Sequence, residues 1–307
     1  PVPYGAAELL ARPIGLHRTD ASVRTVGRLA HLGSWILTAR GTSRLGGVSG
    51  LVVVPNDRLG GPDHVTAVTD AGDLVRFDWH RSGAAPASVP LTIAPLRDEA
   101  GAPLPGEKAR ADAEDATLAD IDERTGAYRL LVSFEREHRV LSYDGRAPGA
   151  ATRQPLTGLP AFKANDGIEG LATYATRDGR RLAVGAQDGR IWTCPELGGA
   201  CALRVARSPF GFDVAGLAPL PGTGDLLVLY RKLDVFRGWR TIVARLYADG
   251  RIEALARIES PLESANYEGV AAAPAYGPRG GWRVYLISDD GFDAGERTLF
   301  SVFEYRE

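Results

Sequence analysis

Three glutamates, Glu114, Glu169 and Glu268, each open a short segment of similar pattern: Glu114-Asp-Ala-Thr117, Glu169-Gly-Leu-Ala172 and Glu268-Gly-Val-Ala271. Two more copies, Ser49-Gly-Leu-Val52 and Ala215-Gly-Leu-Ala218, carry no acid in the first place. After each copy a second apolar run ends on a polar residue, giving Asp70, Glu135, Gln187, Arg231 and Asp289 in turn. Carboxylates drawn within a few ångströms of one another cannot all stay ionised without compensation, since like charges raise each other's pKa. A hard divalent cation is a simple remedy, and Ca2+ tolerates the irregular oxygen cages that loop ends supply. The pattern therefore predicts a Ca2+ site with Glu114, Glu169, Glu268 and Asp289 as ligands, to which Asp166 and Asp213 add further oxygens. Zinc is not expected, because the five His show no paired spacing and Cys194 and Cys201 lack partner ligands. Arg136 and Arg231 lie among the acids in sequence. A cation beside guanidinium groups is what phosphoryl chemistry requires, the metal polarising phosphorus and Arg gripping its oxygens two at a time. Glu135 is the candidate general base. The structural alternative is that each acid accepts backbone N–H bonds and locks one strand to the next.

These assignments need elements that carry distant residues to one edge. Helical periodicity is nearly absent. What recurs is an apolar run, a turn rich in Asp and Gly, and a second apolar run, as in Arg181-Leu-Ala-Val-Gly-Ala-Gln-Asp-Gly-Arg-Ile-Trp192, which is the signature of antiparallel hairpins. The one stretch with helical character runs from Glu107 to Asp122, and it reads equally as a loop leading into a strand. A third strand often closes on an aromatic and Asp, as in Leu74-Val-Arg-Phe-Asp78 and Val140-Leu-Ser-Tyr-Asp144. Units of this size, with three or four strands each, match propeller blades, which pack radially because one small sheet cannot bury both faces alone. The chain is expected to be all-β, a single β-propeller of five or six blades. The N-terminal strands near Val23 to Leu29 and Trp35 to Ala39 close the last blade or contribute to a sixth. A β-sandwich with accidental internal similarity is the alternative. One domain is expected over residues 1–307, with residues 1–20 as an N-terminal extension. If each tetrapeptide opens an innermost strand and the next strand runs back antiparallel, the start of one and the end of the other share an edge. Both polar sets then face one mouth of a central channel.

The 307 residues carry 36 Lys plus Arg against 38 Asp plus Glu, a net charge of −2 that argues against a nucleic-acid binder. No apolar run approaches the roughly 18 residues a membrane span needs. The chain starts at Pro1 and contains no Met, which fits removal of a leader, so a periplasmic or secreted protein is expected, as a monomer. Cys194 and Cys201 flank the turn-like Pro195-Glu-Leu-Gly-Gly199 and either form a local disulfide or remain free thiols. Gly47-Val-Ser-Gly-Leu51 is not G-x-S-x-G, because Leu51 replaces the second glycine, so a serine nucleophile at Ser49 is not expected. Phosphate-binding P-loops and dinucleotide fingerprints are absent from the sequence.

Gly47-Val-Ser-Gly-Leu51, Asp112-Ala-Glu-Asp-Ala116 with Val132-Ser-Phe-Glu135, Asn165-Asp-Gly-Ile-Glu-Gly-Leu171, Asn266-Tyr-Glu-Gly-Val270 and Tyr285-Leu-Ile-Ser-Asp-Asp290 are spread along most of the chain. In these segments it resembles the phytase-like, or "esterase-like activity of phytase", family of bacterial propeller proteins. The resemblance implies an exported protein acting on a phosphate monoester or diester. It places the family's acids at Glu114, Glu135, Glu169, Glu268 and Asp289, and the chain departs from the pattern at Ala215. The expected function is thus Ca2+-dependent hydrolysis of a small phosphate ester. A propeller that only binds a metal or ligand, and a metal-dependent lactonase, are the competing readings.

Overall fold

Short aliphatic and β-branched runs separated by Gly and Asp turns form strands almost throughout. The computed structural model describes residues 5–55, 61–80, 88–122, 124–164, 166–275, 280–293 and 295–307. Asn165 of the Asn165-Asp-Gly167 segment lies outside the described residues. The chain begins with β1 (Gly5–Ile14), β2 (Thr25–Val26) and β3 (Leu29–Arg40). A first antiparallel unit follows: β4 (Val48–Val54), β5 (Asp63–Thr69), β6 (Asp73–Trp79) and β7 (Ser88–Pro95). After the one-turn helix α1 (Lys108–Ala111), a second unit contains β8 (Ala113–Asp122), β9 (Ala127–Phe134), β10 (Arg139–Asp144) and β11 (Thr152–Arg153). The helical character foreseen between Glu107 and Asp122 is therefore one turn, and the remainder is strand.

Strand β12 (Leu156–Thr157) leads to a third unit of β13 (Ile168–Thr176), β14 (Gly179–Ala186), β15 (Ile191–Pro195), the short β16 (Gly199–Ala200) and β17 (Ala202–Val205). Cys194 in β15 and Cys201 are joined by a disulfide. The chain continues with β18 (Asp213–Leu220), β19 (Asp225–Asp234), β20 (Gly238–Leu246) and β21 (Ile252–Ile258), then β22 (Asn266–Pro274), β23 (Trp282–Asp289) and β24 (Leu299–Tyr305). Strand β3 pairs antiparallel with β24, as the outermost member of that last set. Residues 5–14, foreseen as part of an extension, form β1, which pairs with β3 on one side and β7 on the other. It ties the last strands in sequence to the first.

The arrangement is all-β and propeller-like. Strands β4, β8, β13, β18 and β22 contact one another in that cyclic order, and β22 returns to β4. They are buried on both faces, and their sequences are correspondingly apolar beyond the first turn. Apolar side chains collect between neighbouring sheets. Leu141, Phe134 and Leu130 meet Val68 and Leu74 between the first and second units, for example. Where β1 closes the circuit, Trp35, Trp79 and Phe300 stack edge to face, with ring centroids 4.8 Å apart for Trp35–Trp79 and 5.0 Å for Trp79–Phe300.

The glycine at the centre of the repeated tetrapeptide is a packing requirement between these inner strands. A Cβ on Gly216 would lie 2.6 Å from the Glu268 carbonyl oxygen, and one on Gly50 would lie 2.7 Å from the Asp115 Cα. In the second unit Asp115 stands in the glycine's place. Its buried carboxylate accepts N–H bonds from Leu171 (2.8 Å), Leu217 (3.1 Å) and Ala116 (2.8 Å), so it ties β8 to both β13 and β18. Burial pushes this carboxyl well above its usual range, while the three N–H donors act in the opposite direction.

Candidate metal and substrate site

A β-bulge recurs at the same point in each unit. Pairing jumps from Val48 to Gly50, from Ala113 to Ala116, from Ile168 to Gly170, from Val214 to Gly216 and from Tyr267 to Gly269. The residues left out of the ladder are Ser49, Glu114 with Asp115, Glu169, Ala215 and Glu268. A bulge frees the extra residue and re-aims its side chain, so the acids of the repeat leave the alternation of their strands at this point. The returning strand ends opposite the start of the inner one. The Asp70 and Glu135 N–H groups bond to the Gly47 and Asp112 carbonyls, Asp213 pairs with Arg231, and Asn266 pairs with Asp289. The two polar sets therefore share one rim, as the strand directions predicted.

Around that rim the side chains form a nearly continuous polar circuit. Lys108 Nζ bridges Asp70 Oδ2 (2.7 Å) and Asp112 Oδ1 (2.8 Å). Arg136 Nε holds the other oxygen of Asp112 at 2.7 Å. Oxygens of Asp112, Glu114 and Glu135 all lie within 4.8 Å of one another, a group that can hold a metal ion. Across the mouth, Arg231 sits between Glu169 (3.6 Å) and Glu268, with which it is in direct contact, and donates to Asn266 Oδ1 at 2.9 Å. Asn266 Nδ2 in turn donates to Glu268 Oε1 (2.7 Å) and toward Asp289 Oδ2 (3.4 Å).

The electrostatics follow from this crowding. Burial, reinforced by the charges of Glu169, Asp112 and Glu135, raises the Glu114 carboxyl well above its usual range, against the pull of Arg231. Glu169 is pushed up to about 7, chiefly by burial, with Arg231 opposing. Asp289 rises to about 6, again mainly by burial, with Asp70 and Asp290 adding to it and the Gly291 N–H opposing. Glu135 is raised by burial and by Asp112, while Arg136 and the Gly167 N–H work the other way. Two buried oxygens, Asp70 Oδ1 and Gln187 Oε1, have no hydrogen-bond partner among the described residues. Carboxylates held part-protonated by burial and mutual repulsion take up a hard cation with release of protons.

Glu114, Glu135, Arg136, Glu169, Arg231, Glu268 and Asp289 are at this rim, but the grouping differs from the expected one, and Asp166 instead pairs with Lys163 at 3.5 Å. The compact set is Asp112, Glu114 and Glu135, whereas Glu169 and Glu268 flank Arg231 and Asp289 lies beyond Asn266. Asp112 and Asn266 occur in the quoted segments without having been assigned a role, and Lys108 was not singled out. A signal for Asp112 and Asn266 was present: the residue two before each tetrapeptide is Gly47, Asp112, Gly167, Asp213 and Asn266, mostly polar once the glycines are set aside.

Residues 43–292 match the family described as "Phytase-like: Esterase-like activity of phytase". No curated protein matches the chain in sequence. Among solved structures the chain is similar to the WD40 repeats of RRP9, at 10% identity and TM-score 0.46, over 92% of this chain and 100% of that one. It is also similar to a thermostable family-43 glycoside hydrolase, at 10% identity and TM-score 0.48, over 86% of this chain and 91% of that one. Neither likeness bears on the chemistry.

Proposed function

The chain belongs to the phytase-like family, and on that premise we propose that its acidic mouth hydrolyses phosphate esters with the aid of Ca2+. The observation that carries this reading is the group Asp112, Glu114 and Glu135, three carboxylates with oxygens within 4.8 Å of one another. Their donors are all hard oxygens, which suits Ca2+. Asp112 and Glu114 would hold the ion, with Glu135 beside them as the base and Glu169, Glu268 and Asp289 forming the remainder of the rim. When bound, such an ion polarises a phosphoryl oxygen and eases ionisation of water.

The chain's own residues supply the rest of the chemistry. Arg136 and Arg231 face the mouth, and each guanidinium carries five N–H donors with which to orient phosphoryl oxygens. Glu135, half-buried and raised in pKa, takes the proton of the attacking water. The water oxygen bonds to phosphorus, and the bond from phosphorus to the leaving oxygen breaks. Glu169, titrating near 7, returns a proton to that leaving oxygen.

One observation favours a second reading, a propeller that binds without turnover. Lys108 and Arg136 already pair with both oxygens of Asp112, and Arg231 already pairs with Glu268. Assays separate the two. With p-nitrophenyl phosphate, bis-p-nitrophenyl phosphate and a panel of lactones, turnover of a phosphate ester that EDTA abolishes and Ca2+ restores is expected. Bound metal with no turnover selects the binding module, and turnover of lactones alone rejects the phosphoryl reading.

The accompanying proposals are a five-bladed propeller closed by β3, one domain over residues 1–307, a monomer and an exported protein. The β3–β24 pairing supports the closure, and the Cys194–Cys201 disulfide suits an oxidising compartment. An experimental structure, light scattering and cell fractionation test them. Six blades, a dimer or a cytosolic location would each remove the corresponding statement.

A further inference from the structure

The β19–β20 hairpin grows outward from the acidic mouth. Arg231 at the rim pairs with Thr241, and pairing continues through Lys232 with Arg240, Leu233 with Trp239 and Asp234 with Gly238. The tip is closed by Asp234, whose Oδ1 accepts the N–H groups of Phe236 (2.9 Å) and Arg237 (3.1 Å), and by Gly238 at φ +73. At about 3.3 Å per residue, the end of this paired ribbon stands roughly 10 to 15 Å beyond Arg231. It holds out three large apolar side chains, Leu233, Val235 and Phe236, which are 58%, 92% and 97% exposed.

Adjacent apolar side chains held almost wholly in water mark an interaction surface. Their neighbours say of what kind. Lys232, Arg237 and Arg18 are exposed around the finger, and Arg18 and Arg237 share a groove with Phe236. Two nearby acids are engaged elsewhere, Asp234 in closing the tip and Glu259 on Arg240 at 2.5 Å, while Asp213 is exposed at the base of the finger. An apolar tip with a cationic collar matches the interface of an anionic bilayer, with acyl chains below and phosphates above. It suits a second copy of itself poorly, since two such collars repel.

We propose that the β19–β20 hairpin docks the protein on an anionic lipid surface, inserting Val235 and Phe236 while Lys232, Arg237 and Arg18 meet headgroup phosphates. Resting on the hydrolytic reading above, the same placement turns the acidic mouth toward the bilayer and makes lipid headgroup esters its substrate class.

Flotation of the intact protein with vesicles tests the docking. Binding to phosphatidylcholine vesicles containing phosphatidylglycerol is expected, with weaker binding to phosphatidylcholine alone and a decline as salt rises. The double variant Val235→Asp/Phe236→Asp is expected to lose at least tenfold in vesicle affinity with an unchanged melting temperature. Lys232→Gln/Arg237→Gln is expected to lose the preference for phosphatidylglycerol. Failure of the wild type to float with anionic vesicles, or equal flotation of the Asp double variant, overturns the proposal. So does a dimer in light scattering that the Asp double variant dissolves, which assigns the finger to a second copy. The two readings fail separately: soluble esters hydrolysed without flotation rejects the finger alone, whereas flotation without ester turnover leaves the finger standing and rejects the hydrolytic site.

Discussion

The two ends of the inner strands have opposite characters although the strands are the same. At the starts of β8, β13 and β22 lie Glu114, Glu169 and Glu268, with Arg231 and Lys108 between them and their neighbours. At the other ends a cavity of about 400 Å³ is lined largely by apolar groups, among them Val53, Leu118, Leu217, Ala272 and Pro274. Between the two lies the Asp115 carboxylate, bonded to the backbones of β13 and β18. The difference teaches that position relative to the bulge governs polarity along these strands. At it, side chains are released from the ladder; after it, close packing of strand on strand favours small or apolar groups.

The sharpest way to break this comparison is to remove the partition. Asp115→Ala removes the acceptor of three buried N–H groups, and at about 1–3 kcal/mol for each a loss on the order of 4 kcal/mol or more is expected in urea titrations. A loss below about 1 kcal/mol would falsify the partition. Next comes pH. Glu169 has its folded pKa raised from 4.5 to about 7, so its contribution to stability is fully present below 4.5 and lost as pH rises through 7. Each tenfold change in proton affinity on folding is worth about 1.4 kcal/mol, so metal-free protein should lose roughly 3 kcal/mol over that window. Glu169→Gln should flatten the slope, and a slope unchanged by that substitution removes the assignment.

Calcium should act at the acidic end alone. A hundredfold excess over Kd corresponds to about 2.7 kcal/mol of stabilisation, seen as a raised melting temperature that EDTA reverses. In Glu114→Gln it should vanish, and a melting temperature indifferent to Ca2+ in the wild type counts against any resident ion. A Cβ at Gly216 meets the Glu268 carbonyl at 2.6 Å, whereas one at Gly149 meets nothing within 4 Å. Gly216→Ala should therefore cost about 2 kcal/mol by forcing the strands apart, and Gly149→Ala should serve as a near-neutral control. The smallest effect belongs to the apolar end. Arg180 is 40% exposed and pairs with Glu196, so Arg180→Gln should change stability by less than about 0.5 kcal/mol and leave ester turnover unchanged.

The strand pattern and the shared rim were legible because both follow from local regularities. Apolar runs with Asp-Gly turns specify hairpins, and antiparallel return places Glu135 opposite Asp112 whatever the rest of the chain does. The second-unit copy, Glu114-Asp-Ala-Thr117, already showed an acid where the others have glycine, but nothing local said that Asp115 would accept bonds from Leu171 and Leu217. Asp112 escaped assignment because its counterparts in the other units are Gly47, Gly167, Asp213 and Asn266, which share no single type. The exposed finger at Val235 and Phe236 was hidden for a different reason, since a sequence of apolar and charged residues does not say which of them the fold leaves in water.

By itself the sequence determined the alternation of strand and turn, the repeated acid–glycine step and the edge on which the acids must lie. Hairpin geometry and the glycine requirement act over a few residues, and can be read one segment at a time. Only the tertiary structure decided which acids meet. Arg231 could have served any carboxylate on the rim, and it lies between Glu169 and Glu268 because the ring of inner strands brings β13 and β22 to either side of β18. Coulomb interactions depend on distances between strands far apart in the chain, and the chain order alone carries no such distances.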